Sequence, residues 1–191
     1  MKIIQALNNS IEVKQKIVAD SHLIEEIGDI AQAMVEAFCN ANKVYFCGNG
    51  GSAADAQHLA AELSGRFYYD RNPLPAEALH VNTSYLTAVA NDYSYDEVYS
   101  RLIRGIGNEG DVLVAISTSG NSTNIIRALE TAQKMGMITV GLTGETGGKM
   151  RGLCDFLINV PSTDTPRIQE AHITVGHIIC ELVESTMFPK S

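Results

Sequence analysis

The sequence predicts an α/β fold, a three-layer sandwich in which a mainly parallel five-stranded sheet lies between helices. Three observations predict it. Short apolar runs alternate with helical patterns from residue 43 to residue 187, the rhythm of strand–helix–strand units. Runs such as Val112-Leu113-Val114-Ala115-Ile116 carry no polar alternation, as expected of strands covered on both faces. Two glycine- and serine-rich loops follow such runs and open helices, at the carboxyl ends of strands where open sheets collect ligands.

Residues 3–40 are helical in character. Ile24, Ile27, Ile30, Ala31, Met34, Val35 and Phe38 recur at three- and four-residue spacing. A break near Asp20-Ser21 divides two helices, with Ser21 as the expected cap. Ile24, Ile27, Met34 and Phe38 exceed what covering one sheet needs, so these helices are expected to assist oligomer assembly. Strands are expected at residues 43–47, 76–80, 112–117, 138–142 and 156–160. Helices are expected near residues 53–64, 85–90, 96–105 and 121–135, with a last one over Thr165–Met187. No linker, repeat or low-complexity segment interrupts them. One domain over residues 1–191 is expected, with residues 1–40 as a helical extension packed on it.

Composition narrows the partners. Fourteen basic against 22 acidic residues give a net charge of −8, which argues against general nucleic-acid binding, since phosphates need a basic patch. A small phosphorylated ligand remains open, because backbone amides, hydroxyls and helix dipoles bind phosphate without net positive charge. No apolar run approaches the ~18 residues that span a bilayer, and Met1-Lys2-Ile3-Ile4-Gln5 lacks the apolar stretch of a secretory signal. Cys39, Cys47, Cys154 and Cys180 are scattered in apolar stretches, so reduced, buried thiols in a cytoplasmic protein are expected.

The chemistry concentrates in a few places. After the first strand, Cys47-Gly48-Asn49-Gly50-Gly51-Ser52 forms a turn whose backbone N–H groups can face an anion at a helix N-terminus. Ser52 stands at the expected N-cap. In that helix His58 and Glu62 are four residues apart on one face, either a surface pair or two ligands for a divalent metal. The alanines around them, Ala53, Ala54, Ala56, Ala60 and Ala61, make a lean helix that other elements can approach closely. The loop Ser117-Thr118-Ser119-Gly120-Asn121-Ser122 offers four hydroxyls in six residues at another helix start, a dense set of donors for a phosphate. In the last helix Gln169 and His177 are eight residues apart, able to share an ion only by leaning toward each other. His172 is a rival ligand there, and Glu181 an alternative partner for His177. Asn91 and Asp92 read as caps for a helix near Ser94, and Arg66 as a surface cation or a phosphate contact.

These motifs, in this order and over essentially the whole length, resemble the sugar isomerase (SIS) superfamily and, within it, the bacterial phosphoheptose isomerases. The resemblance implies conversion of sedoheptulose 7-phosphate into D-glycero-D-manno-heptose 7-phosphate for surface polysaccharides. It implies a homotetramer with active sites at subunit boundaries, and one zinc per subunit on His58, Glu62, Gln169 and His177. It puts substrate contacts on Asn49, Gly50, Gly51, Ser52, Glu62, Asn91, Asp92, Ser117, Thr118, Ser119, Ser122 and Gln169. Moving a carbonyl between C1 and C2 through an enediol needs proton transfer at carbon, for which Glu62 is the expected base and His177 the acid or second base. A non-enzymatic relative that binds the bacterial replication initiator is similar in the ending Leu182-Val183-Glu184-Ser185-Thr186-Met187-Phe188-Pro189. That group lacks equivalents of Glu62 and His177, so the resemblance favours the enzyme.

Overall fold

The computed structural model describes residues 1–190. Helices α1 (Lys2–Ala19) and α2 (Ser21–Cys39) lead into strand β1 (Val44–Gly48) and helix α3 (Gly51–Ser64). Then come β2 (Ala76–Ala78), α4 (Thr83–Asp92), a single 3-10 turn at Tyr95–Glu97, and α5 (Val98–Ile106). The chain continues as β3 (Val112–Ile116), α6 (Thr123–Lys134), β4 (Ile138–Thr143), β5 (Phe156–Asn159) and α7 (Thr165–Met187).

All five strands run parallel in the order β2-β1-β3-β4-β5. Side chains of the central strands divide by parity. Val44, Phe46, Val112, Val114 and Ile116 enter one core with α2, α3 and α7. Tyr45, Cys47, Leu113 and Ala115 enter a second core with α5 and α6. Both faces are thus covered, as the unbroken apolar runs anticipate. The chain leaves β1 first toward β2 and later toward β3, so the strand order reverses between β1 and β3. The loops after β1 and β3 therefore flank the crevice where doubly wound sheets bind ligands.

Several sequence expectations are corrected. Asp20, not Ser21, caps α2: its carboxylate accepts from the amides of His22 at 3.1 Å and Leu23 at 3.2 Å, while Ser21 is the first helical residue. Ser52 lies inside α3, and Gly50, with φ of 56°, takes the capping position without any side-chain bond. Only glycine holds that left-handed backbone at little cost. Asn91 and Asp92 are the last two residues of α4 rather than caps of the 3-10 turn and α5. Cys39 is exposed and Cys154 half-buried; Cys47 and Cys180 are buried as expected, and all four are free thiols. Ile27, Met34 and Phe38 are consumed by the chain's own core, leaving only Ile24 of the cited quartet exposed.

Candidate functional site

The site is assembled where α3 and α7 touch. Gly176 eases the approach: a Cβ there would stand 2.5 Å from the Leu59 side chain, so that side chain or the helices would have to shift. The adjoining residues, His58 on α3 and His177 on α7, then meet with Nε2 atoms 2.8 Å apart. Glu62, one turn on from His58, brings Oε1 to 3.2 Å of the same His58 nitrogen. One ligand atom from each of the three lies within 4.8 Å of the others, and the group can hold a metal ion. Two imidazoles and a carboxylate suit a divalent metal of the zinc type. His177 pairs with His58 and not with Glu181, and the Phe67 ring packs beside it at 5.8 Å.

Gln169 lies on α7, eight residues before His177. Its side-chain amide covers Gly51 at the start of α3, where an added Cβ would meet Nε2 at 2.5 Å. The rival ligand His172 is removed altogether. It is fully buried, its Nε2 bonds the Thr143 carbonyl at 3.0 Å, and burial pushes its pKa down to about 4. It is a neutral core histidine.

The two loops are tied to each other by amides. Asn49 and the buried Asn124 of α6 exchange two hydrogen bonds of 2.9 Å, and the Tyr95 hydroxyl donates to Asn49 Oδ1 at 3.1 Å. Tyr99, fully buried, donates its hydroxyl to the Gly48 carbonyl. Ser117 Oγ lies 3.2 Å from Ser122 Oγ and 3.5 Å from Ser119 Oγ, so three of the four hydroxyls cluster. Ser122 holds the cap position of α6 without a side-chain bond to the first-turn amides, while its carbonyl accepts from Ile125 and Ile126. A cavity of about 290 Å³ opens beside Thr118 and Ser119, completed by Gly144, Thr146, Ser162 and Ile168; none of residues 48–52 lines it. Asn91 donates to Asp92 at 2.9 Å on the exposed end of α4, and no side-chain hydrogen bond joins either to the other candidates. Arg66 is exposed.

Asn124, Tyr95, Tyr99, Phe67, Arg71 and Glu184 were not singled out from the sequence. Glu184 alone left a signal: it falls on the buried stripe of α7 with Val175, Ile179, Cys180 and Val183, and a carboxylate there demands partners.

The SIS domain model matches residues 7–144. The chain is 55% identical over 182 residues to the phosphoheptose isomerase of Aneurinibacillus thermoaerophilus, covering 95% of this chain and 92% of that one. Its identity to the phosphoheptose isomerase of Clostridium acetobutylicum is 51% over 182 residues, covering 95% and 93%. The structure of phosphoheptose isomerase from Neisseria gonorrhoeae superimposes with a TM-score of 0.90 at 43% identity, covering 96% of this chain and 97% of that chain.

Proposed function

The chain belongs to the SIS domain family, and from that premise we propose that it is a heptose-phosphate isomerase, converting sedoheptulose 7-phosphate to D-glycero-D-manno-heptose 7-phosphate. The observation that carries the reading within this chain is the convergence of His58, Glu62 and His177. That trio offers proton transfer, and the hydroxyl cluster of Ser117, Ser119 and Ser122 offers anion binding.

Phosphate binding falls to Ser117, Thr118, Ser119 and Ser122, helped by the amides that open α6 and by Asn49, Gly50, Gly51 and Ser52 at the start of α3. Asn91, Asp92 and Gln169 are assigned to the sugar hydroxyls. Glu62 removes the proton from carbon, and His177 returns or relays a proton at the neighbouring oxygen. His58, Glu62, His177 and Gln169 would hold a zinc ion, which would polarise the substrate carbonyl. The product feeds heptose into surface polysaccharide. The working form is a cytoplasmic homotetramer with no nucleic-acid partner; among the described residues no helix is long and apolar enough to cross a membrane.

A non-enzymatic regulator has no use for a carboxylate and two imidazoles poised together, so the enzyme reading is the better supported. Isomerisation of sedoheptulose 7-phosphate, assayed before and after chelator treatment, tests it. Turnover that chelation removes and zinc restores is expected; no turnover with any divalent metal overturns it.

A further inference from the structure

We propose that the buried Arg71–Glu184 ion pair is a positioning device that fixes α3 against α7, and with it the convergence of His58, Glu62 and His177. The proposal rests on the reading of those three residues as the metal and proton-transfer group. The pair joins the two helices that supply them. Arg71 Nε donates to Glu184 Oε1 at 3.0 Å, with side chains only 2% and 1% exposed.

Each partner of the pair is committed to one helix and to the strap of chain between them, residues 65–72. Toward α3, the Arg71 guanidinium donates to the Glu62 carbonyl at 2.9 Å and the Leu63 carbonyl at 2.7 Å, among the last carbonyls that the helix leaves free. It therefore grips the backbone of Glu62 itself. On the strap it also reaches the carbonyls of Gly65 and Asn72. From α7, seven residues beyond His177, Glu184 accepts from the amides of Phe67 at 2.8 Å and Tyr68 at 2.7 Å. Phe67, so held, lays its ring against His177. Burial alone would raise the Glu184 carboxyl, but those amides and Arg71 hold it below the ordinary carboxylate value, so the pair stays charged.

A buried ion pair is poor evidence of a stability device, because a hydrophobic replacement often does as well. What such a replacement cannot reproduce is a planar fork bonding one carboxylate and several carbonyls in fixed directions. Fixed direction matters most for residues that must converge on one point. Arg71→Lys keeps the charge and loses the fork.

Full-length protein stripped of metal is titrated with zinc against a chromophoric chelator, at a temperature where circular dichroism shows wild type and variant both folded. The expected result for Arg71→Lys is a loss of zinc affinity of about 10–100-fold, the usual effect of disturbing the groups that orient metal ligands. Turnover number should fall with it while KM for the sugar phosphate holds. Where Arg71→Lys does not fold, Glu184→Gln keeps the volume and one acceptor. Phe67→Leu leaves both charges in place and should weaken zinc in the same direction by a smaller factor. Lower thermal stability with zinc affinity and turnover number unchanged in the folded variants overturns the proposal and leaves the functional reading standing. A wild-type protein that neither binds zinc nor isomerises overturns both.

Discussion

Glu62 stands 22% exposed with one oxygen toward His58, close enough to act on a ligand yet partly screened from water. Its two assigned duties, holding a metal and taking a proton, both require the charged carboxylate. Glu62→Gln preserves shape and removes the basic oxygen. The turnover number should then drop by on the order of 10²–10⁴, the usual share of positioned proton transfer, while binding of inorganic phosphate persists. Near-normal turnover in this variant would show that the base lies elsewhere. His172, five residues before His177 on the same helix, has the opposite character. Unfolded, it takes up a proton near pH ~6.5; folded, burial delays this to about 4. Between those values the unfolded chain binds a proton that the folded chain refuses, so stability falls as pH falls and is unaffected above the window. At ~1.36 kcal/mol per unit, the loss by the lower end amounts to about 3 kcal/mol. Urea unfolding at pH 7 and pH 4.5 should show His172→Gln losing less stability than wild type over that interval. Equal losses would mean that another group dominates the acid limb.

At the level of elements, the close pass of α3 and α7 is the feature on which the site depends. Gly176 and Leu59 set it, since a methyl group at 176 would overlap the Leu59 side chain at 2.5 Å. Gly176→Ala should force the helices apart and cost roughly 1–3 kcal/mol of overpacking strain. The His58–His177 separation should lengthen, which a zinc titration of the folded variant would register as weaker binding; undiminished zinc affinity would show that the helices can slide without opening. The lean helix around His58 was legible in its run of alanines, but its neighbour was not. Nothing local in the sequence says that residue 59 meets residue 176, or that Asn49 meets Asn124 across the crevice. The strands were legible because apolar runs bounded by turn residues have few other uses. Their order was not, since it is decided by crossover connections rather than composition. Local signals also misled at the caps. Asp20 outcompetes Ser21 because its carboxylate reaches two amides, and Gly50 displaces Ser52 because the turn needs a positive φ.

For the whole molecule, the surface of α1 does not look finished in a single chain. Ile4, Leu7, Ile11 and Val18 are all exposed, at spacings of three, four and seven residues that place them along one stripe, with Ile3 beside it and Ile24 on α2. The rest of α1 is secured: Val13 and Ile17 enter the core, and the Arg167 guanidinium donates to the Ala6 carbonyl. A helix fastened in place with an apolar stripe outward is arranged to receive another surface, and closed symmetric assembly is the usual way to cover one. The expected unit is a tetramer of 20.6 kDa chains. Light scattering at low micromolar concentration should report about four times that mass, and Leu7→Glu with Ile11→Glu should reduce it by setting carboxylates where the stripe is buried. Because neither residue lies near His58 or the hydroxyl loop in sequence, the variant also asks whether the site is complete within one chain. If active sites sit at subunit boundaries, activity falls with the mass. A 20.6 kDa species in the wild type would refute the assembly outright, and full activity in a dissociated variant would confine the site to one chain.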